Sequence, residues 1–416
     1  MVDSQHSPAA SGAETGAYDV AIVGGGLAGG LIALALHRHA PGCRFVVIEA
    51  GRTLGGHHRW SWFDSDLDEA GHALLAPFTT IGWNGYEVRF PAHRRTLAAR
   101  YNSLASRDFD DALRRTLGQD TIRIGTPVAS LERGAIVTAD GTRIEAGAVI
   151  DCRDAAPDAN LRGGWQVFMG SHLRTDRPHG LKRPMVMDAD VTQHGAYRFV
   201  YVLPLGPDEL FVEDTYYADD PDLDGPALAG RIERYCDRHG WSGKVIGGET
   251  GVLPVITGGD FRAWQDAHAI PGVARAGAGG GFVHPLTSYT LPFAVENALA
   301  IAASHAVIDV MQEEKLPERA QRLGDQLIAH LNAKKKTYAR MGDVRGLGAM
   351  VACEFIDPKT GAPDADLTKR VQAAALKRGL LLLTCGVYGN VIRFLFPLTI
   401  EDTVFAEAMD VLDAAL

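Results

Sequence analysis

A run of glycines between two apolar stretches constrains this chain more than any other feature. Val20-Ala21-Ile22-Val23 meets Gly24-Gly25-Gly26-Leu27-Ala28-Gly29, and a helical pattern, Leu31-Ile32-Ala33-Leu34-Ala35-Leu36, follows. A second apolar run, Phe45-Val46-Val47-Ile48, ends at Glu49. Strand, glycine turn, helix, strand and acid, in that order, make a dinucleotide-binding βαβ unit. Gly24 permits the tight turn, Gly26 lets backbone approach a pyrophosphate, and Gly29 lets the helix pack close to the strand. The free N–H groups and positive dipole end of that helix suit phosphates. Glu49 is placed to accept hydrogen bonds from ribose hydroxyls and to repel a 2′-phosphate. The expected ligand is FAD or NAD.

The chain has 416 residues, enough for two or three domains. A net charge of −10 argues against nucleic acid as the main partner, because phosphate binding needs a basic face. Five cysteines are scattered without a CxxC pair, which reads as thiols in a reducing, cytoplasmic compartment. Residues 1–16 are polar, without the basic and apolar regions of a signal peptide, and read as a disordered leader. No apolar run reaches the ~18 residues needed to span a bilayer. Peripheral contact at the inner membrane stays compatible with the sequence, since a patch formed by folding does not show in it.

After Glu49, Gly55 and Gly56 are expected to bring backbone near a bound cofactor, and His57, His58, Trp60 and Trp62 follow in what reads as a loop. Adjacent histidines without an acid-and-cysteine set do not make a metal site, so none is expected. Packing of this loop against a flavin or an apolar substrate is the better reading. A helix is expected over Asn102 to Leu117, a hairpin turn at Asp140-Gly141, and a returning strand at Ala148-Val149-Ile150-Asp151. Arg153 leaves that strand where it can meet a cofactor phosphate or form a surface salt bridge. WQVFMG, PMVMDADV, YRFVYVLPL and ELFVEDTYY read as antiparallel strands of a substrate domain, with a helix from Leu228 to His239 and a short strand at Gly251 to Val255. A second glycine cluster, RAGAGGGFVHPLTSYTLPFA, places Gly280 and Gly281 in a strand-turn-helix that again offers N–H groups to a ligand.

From Tyr18 to about Val295 the chain resembles the bacterial lycopene β-cyclases. The stretches that carry this are VGGGLAGGLIAL, LGGHHRWSWF, GWQVFMG, RPHGLKRPMVMDA, YRFVYVLPL, FVEDTYY, GVLPV and GGGFVHPLTSYTLPFAV. The resemblance implies a glutathione-reductase-like FAD/NAD(P)-binding Rossmann domain with an antiparallel-sheet substrate domain, its strands mainly at 83–100 and 160–255. It implies reduced FAD, NAD(P)H as reductant, lycopene as substrate, and acid-catalysed ring closure without net redox change. Such chemistry needs a carboxyl kept protonated by apolar surroundings. The family's acidic strand motif falls on Glu213 and Asp214. Neighbours on a strand face opposite sides, so one is expected to reach substrate while the other makes structural bonds; Glu213 is the first choice as acid and Asp214 the second. Two solvated strand-end acids are the plain alternative. The resemblance also places His284, Pro285 and Tyr289 at the cofactor or substrate.

The last segment, 296–416, departs from the cyclase pattern. ALAIAASHAVIDVMQEEKLPERAQRLGDQL, GDVRGLGAMVACEF and the stretch through GNVIRFLFPLTI resemble the small α+β domain of class III aminotransferases of the 4-aminobutyrate type. One long amphipathic helix, Leu299 to Ala333, is expected, then a helix from Asp366 to Arg378 and two strands. In that family the arginine matching Arg393 binds a carboxylate through a guanidinium fork. No large domain with its cofactor lysine accompanies it, which argues against pyridoxal phosphate and makes Arg393 vestigial. Oligomerisation through this segment is a further expectation. Two readings compete with a cyclase: another FAD-dependent oxidoreductase, and a chimeric fusion without cyclase activity.

Overall fold

The computed structural model describes residues 18–155 and 157–416. The leader expected at residues 1–16 lies outside them. By its contacts the chain divides after Ser304 into two compact units.

In the first unit the glycine-flanked strands build a Rossmann sheet. Its order is Ile122–Arg123, Phe45–Ile48, Tyr18–Val23, Arg143–Asp151, Ala135–Thr138 and Val128–Glu132. Val273–Arg275 also pairs in parallel with the end of Arg143–Asp151. Parallel pairing of Tyr18–Val23 with both Phe45–Ile48 and Arg143–Asp151 puts their C-terminal ends on one edge, where such sheets bind ligands. The helix Leu27–His39 is buried from Leu27 to Leu36. Small residues make this close packing feasible: a Cβ on Gly29 would sit 2.0 Å from the Gly24 carbonyl oxygen, and one on Gly30 would meet the Phe109 ring at 2.5 Å. The hairpin at Asp140-Gly141 and the returning strand are where expected, with Gly141 at φ 86°.

The second sheet has eight strands in the order Gly243–Gly259, Leu161–Thr175, Glu209–Ala218, Arg198–Pro204, Met185–Asp188, Ile81–Phe90, His93–Ala105 and Arg59–Phe63. It is antiparallel except where Met185–Asp188 runs parallel to Ile81–Phe90. Three local expectations change. Residues 59–63 are an edge strand paired with His93–Ala105, not a loop. The helix expected from Asn102 begins at Ser106, because residues 102–105 pair with Arg59–Phe63, and 102 and 103 also with Ile81–Phe90. The short strand at Gly251 lies inside a 17-residue strand, Gly243–Gly259, which its glycines disguise in the sequence. The helix Gly225–His239 covers one face of this sheet, packing Ile232, Tyr235 and Cys236 against Val200, Val202, Leu210 and Val212.

A 23-residue helix, Leu291–Glu313, follows; its most apolar window has a mean hydropathy of 1.4, long and apolar enough by composition to cross a membrane. That departs from the sequence expectation, since Glu296 and His305 break the apolar run without breaking the helix. Leu291, Ala294, Val295 and Ala298 are buried in the core of the Rossmann side, while Val307, Ile308, Val310 and Met311 are exposed.

The second unit has an antiparallel sheet ordered Met341–Leu347, Met350–Phe355, Val391–Phe394 and Leu383–Cys385. Helices Leu316–Lys335, Ala365–Leu376 and Asp402–Ala415 share its core, around Leu327, Phe355, Val371, Ile392 and Phe405. The single helix expected from Leu299 to Ala333 is two. Lys315 takes a left-handed φ of 50°, and Pro317 sits at the start of the next helix, where its missing N–H costs nothing.

Candidate active site

The C-terminal edge of the Rossmann strands and one face of the large sheet enclose a cavity of about 490 Å³. Gly24, Gly26, Glu49, Gly55, Gly56 and Arg153 line one part of it. Gly26 has nothing within 4 Å of where a Cβ would stand, so the start of the helix is open toward the cavity, as a dinucleotide phosphate requires. Glu49 is held at the strand end by the backbone N–H groups of Gly25, 2.7 Å, and Gly51, 2.6 Å. Gly55 (φ 73°) lies against the Trp60 ring, which in turn meets Phe109 edge-on at 5.3 Å. Arg153 both lines the cavity and forms a forked ion pair with Asp151, at 2.8 and 3.0 Å. These residues fit a dinucleotide.

The second glycine cluster contributes differently from the expectation. Gly277 (φ 65°) and Ala278 line the cavity. Gly280 and Gly281 do not; a Cβ on Gly281 would collide with the Phe261 ring at 2.4 Å, so this glycine serves the turn. Gly29 stays beneath the turn, packed on Gly24.

Register explains the other part. Gly170 pairs with Glu213 on one side and with Glu249 on the other, and Glu213 pairs with Tyr201. Residues directly across a sheet share a face, so Glu249, Gly170, Glu213 and Tyr201 form one row toward the cavity. Glu213, Glu249 and Tyr201 line it, with Arg59, His58, Trp60, Phe168 and Phe199. Asp214 points the other way and is fully buried in an ion pair, accepting from Arg198 Nε at 2.9 and 2.8 Å and from its Nη2. As second choice for the acid it is therefore displaced: it lies across the sheet from the cavity.

Burial pushes Glu213 up to about 7, against a donated hydrogen bond from the Thr215 hydroxyl at 2.7 Å. Burial, and then the charge of Glu213, pushes Glu249 up to about 8, while Arg59 pulls it down. Tyr201 bonds Tyr101 at 3.0 Å and Ser61 at 2.8 Å, and Tyr101 reaches Tyr289 at 3.4 Å. Burial holds all three phenols well above their usual range, so they remain neutral donors.

Of the three residues placed here by resemblance, Tyr289 lines the cavity. His284 and Pro285 shape its loop instead: His284 Nδ1 bonds the Thr287 hydroxyl at 2.9 Å, and the Pro285 carbonyl accepts from Ile256 at 2.8 Å. His57 is exposed, and Trp62 is packed in the Rossmann core. Glu249 and Arg59 were missed by sequence reading. Glu249 shares period two with cavity-lining Leu253, a signal hidden by Gly247, Gly248 and Gly251. In the second unit, Arg393 is exposed on the Val391–Phe394 strand.

Comparison with known proteins places these features. A model of the lycopene cyclase protein family matches residues 19–345, running past the end near 295 that the motifs suggest. Lycopene beta-cyclase of Pseudescherichia vulneris is 44% identical over 288 residues, 69% of this chain and 74% of that protein. The one from a Paracoccus strain is 42% identical over 285 residues, covering 68% and 73%. Among solved structures, a probable FAD-dependent monooxygenase from Pseudomonas aeruginosa aligns with TM-score 0.52 at 17% identity, covering 72% of this chain and 88% of that one. That similarity speaks for the fold. A class-III aminotransferase model matches residues 294–416. Over 115 residues, 28% of this chain, the segment is 44% identical to 5-aminovalerate aminotransferase of Pseudomonas putida but spans 27% of that protein. With a matching family model over most of its length and relatives above two-fifths identity, the chain belongs to the lycopene cyclase family.

Proposed function

We propose that the first unit binds FAD and closes the ends of lycopene into β-rings, yielding β-carotene. The observation that carries this is Glu213: a carboxyl raised to about 7 by burial, on the cavity face of a strand, across one cavity from the glycine turn. The residues that would hold FAD are Gly24, Gly26, Glu49, Gly55, Gly56, Arg153, Gly277 and Ala278. Bound in reduced form and replenished from NAD(P)H, it supplies an electron-rich ring that favours nearby carbocations.

The chain's own residues do the rest. Thr215 orients one oxygen of Glu213, and the other carries the proton delivered to the terminal double bond. The resulting tertiary cation is attacked by the C5=C6 bond. Trp60, Phe168, Phe199 and Tyr201 present π faces or edges to the cavity and keep water from trapping the cation. Lycopene is apolar, so delivery from a membrane surface by a peripherally bound cytoplasmic protein fits this chemistry.

The tail supports a different reading of its own segment. Arg393 is exposed, and the match spans about a quarter of an aminotransferase. We assign it no transamination; association between copies is the role it retains. The test is direct. Purified protein should show a flavin spectrum that bleaches with dithionite, and should convert lycopene to β-carotene with NADPH. A bleaching flavin with untouched lycopene would instead support another flavoprotein activity or an inactive fusion.

A further inference from the structure

Glu213 accounts for the proton that enters the substrate, but ring closure also needs one removed. After the C1–C6 bond forms, positive charge rests on C5, and the outcome depends on which neighbouring proton leaves. Loss from C6 gives the β-ring, loss from C4 the ε-ring, and loss from the C5 methyl an exocyclic olefin.

Building on the cyclase reading, we infer that Glu249 is the base that takes the C6 proton, paired with Glu213 across the side-chain-free position Gly170. The sheet register carries this. Glu249 and Glu213 each pair with Gly170, so they occupy two strands flanking a third, on the same face. With strands about 4.8 Å apart their Cα atoms are roughly 10 Å apart. A ring in the cavity, lying over the Phe211 side chain that fills the gap above Gly170, is flanked by both carboxyls. Gly170 lacks a side chain because the Phe211 ring occupies its place, 2.1 Å from where a Cβ would stand. Both glutamates line the same cavity.

Their surroundings divide the two roles. Burial and the anionic Asp214 favour the protonated form of Glu213, against the hydrogen bond donated by Thr215, and no cation among the described residues offsets them. Glu249 is the one on which the Arg59 guanidinium acts. Part of Glu249's upward shift comes from the charge on Glu213 and vanishes once Glu213 is protonated, whereas the pull of Arg59 remains. The inferred mechanism starts with the proton on Glu213 and the charge on Glu249, the carboxylate that Arg59 faces.

The step balances. The Glu213 O–H bond breaks as C2–H forms. The C5=C6 pair makes the C1–C6 bond. The C6–H bond then breaks to remake C5=C6, and its proton joins the Glu249 carboxylate. Transfer of that proton back to Glu213 restores the site, and no oxidant or reductant is consumed.

The test is chromatography of the products made from lycopene by wild type, Glu213→Gln, Glu249→Gln and Glu249→Asp, each checked for bound flavin. Glu213→Gln should form no ring of any kind. Glu249→Gln should still close rings but lose β-ends at least about tenfold, with ε-ring or exocyclic ends in their place. If Glu249→Gln forms nothing, Glu249→Asp decides: β-product supports the assignment, none overturns it. Wild-type rate and purity from Glu249→Gln overturn it while leaving the cyclase reading intact. A wild-type protein that leaves lycopene unchanged overturns both.

Discussion

The two units have cores of similar character and differ in what they do with charge. In the first, Glu213, Glu249, Asp214 and Arg198 are drawn onto the two faces of one sheet, and burial or pairing sets the state of each. In the second, the ion pairs of Arg345 with Asp343 and Glu354 and of Asp402 with Arg319 and Arg322 lie at the surface, and Arg393 is exposed. Apolar periodicity alone is enough to keep a fold together. A site needs more: charged groups brought out of water at considered positions, with partners that determine who carries the proton.

Breaking that contrast at its strongest point means removing the acid. Glu213→Gln should lower β-carotene formation by about 10²–10⁴-fold with the flavin spectrum kept, as measured by product chromatography. Residual activity near wild type would mean that this carboxyl is only structural.

The opposite face offers the next largest effect, on stability and not on chemistry. Asp214→Ala leaves Arg198 buried without its partner and should cost about 3–5 kcal/mol in urea unfolding. Phe355→Ala, in the core of the second unit, should cost a comparable ~3–5 kcal/mol but leave ring closure at its wild-type rate. If Phe355→Ala abolishes cyclisation, the tail is part of the active machinery after all.

A pH profile sharpens the comparison further. The active form of Glu213 is protonated, and burial raises it to about 7. Total ring closure should therefore fall roughly tenfold per unit above about 7, while the share of β-ends should fall toward acid as Glu249, raised to about 8, takes up a proton. The neighbours that set the Glu213 value are Thr215 and Asp214; Glu249 and Arg59 face the same cavity. Total ring closure that falls toward acid, with the product mix unchanged, would mean that Glu213 acts as its carboxylate. The smallest change is expected from Arg393→Ala, which should alter neither product yield nor flavin content by more than about twofold.

Much of the nucleotide side was legible because its signals are local. Gly24, Gly26, Gly29 and Glu49 have meaning through spacing along one strand-turn-helix, and each sits where spacing places it. The acidic pair was legible as a pair, since alternation along one strand guarantees that Glu213 and Asp214 diverge. Which of them faces the cavity was not, because that depends on the helix Gly225–His239 covering the Val212 face. Glu249 was not legible either. It enters the site through pairing with Gly170, 79 residues away in sequence, and no local pattern announces a register. The same holds for residues 59–63, whose aromatic loop becomes a strand only because His93–Ala105 lies beside it.

The sequence by itself determined that a dinucleotide turn opens the chain, that a carotenoid-cyclase pattern follows, and that an aminotransferase-like segment ends it. Short-range spacing and recognisable motifs suffice for these. Only the tertiary structure decided which carboxyls share a cavity, which one is neutralised by an arginine, and which glycine of the second cluster lines that cavity. Those are consequences of strand register and burial, and both are set by contacts between residues far apart in the chain.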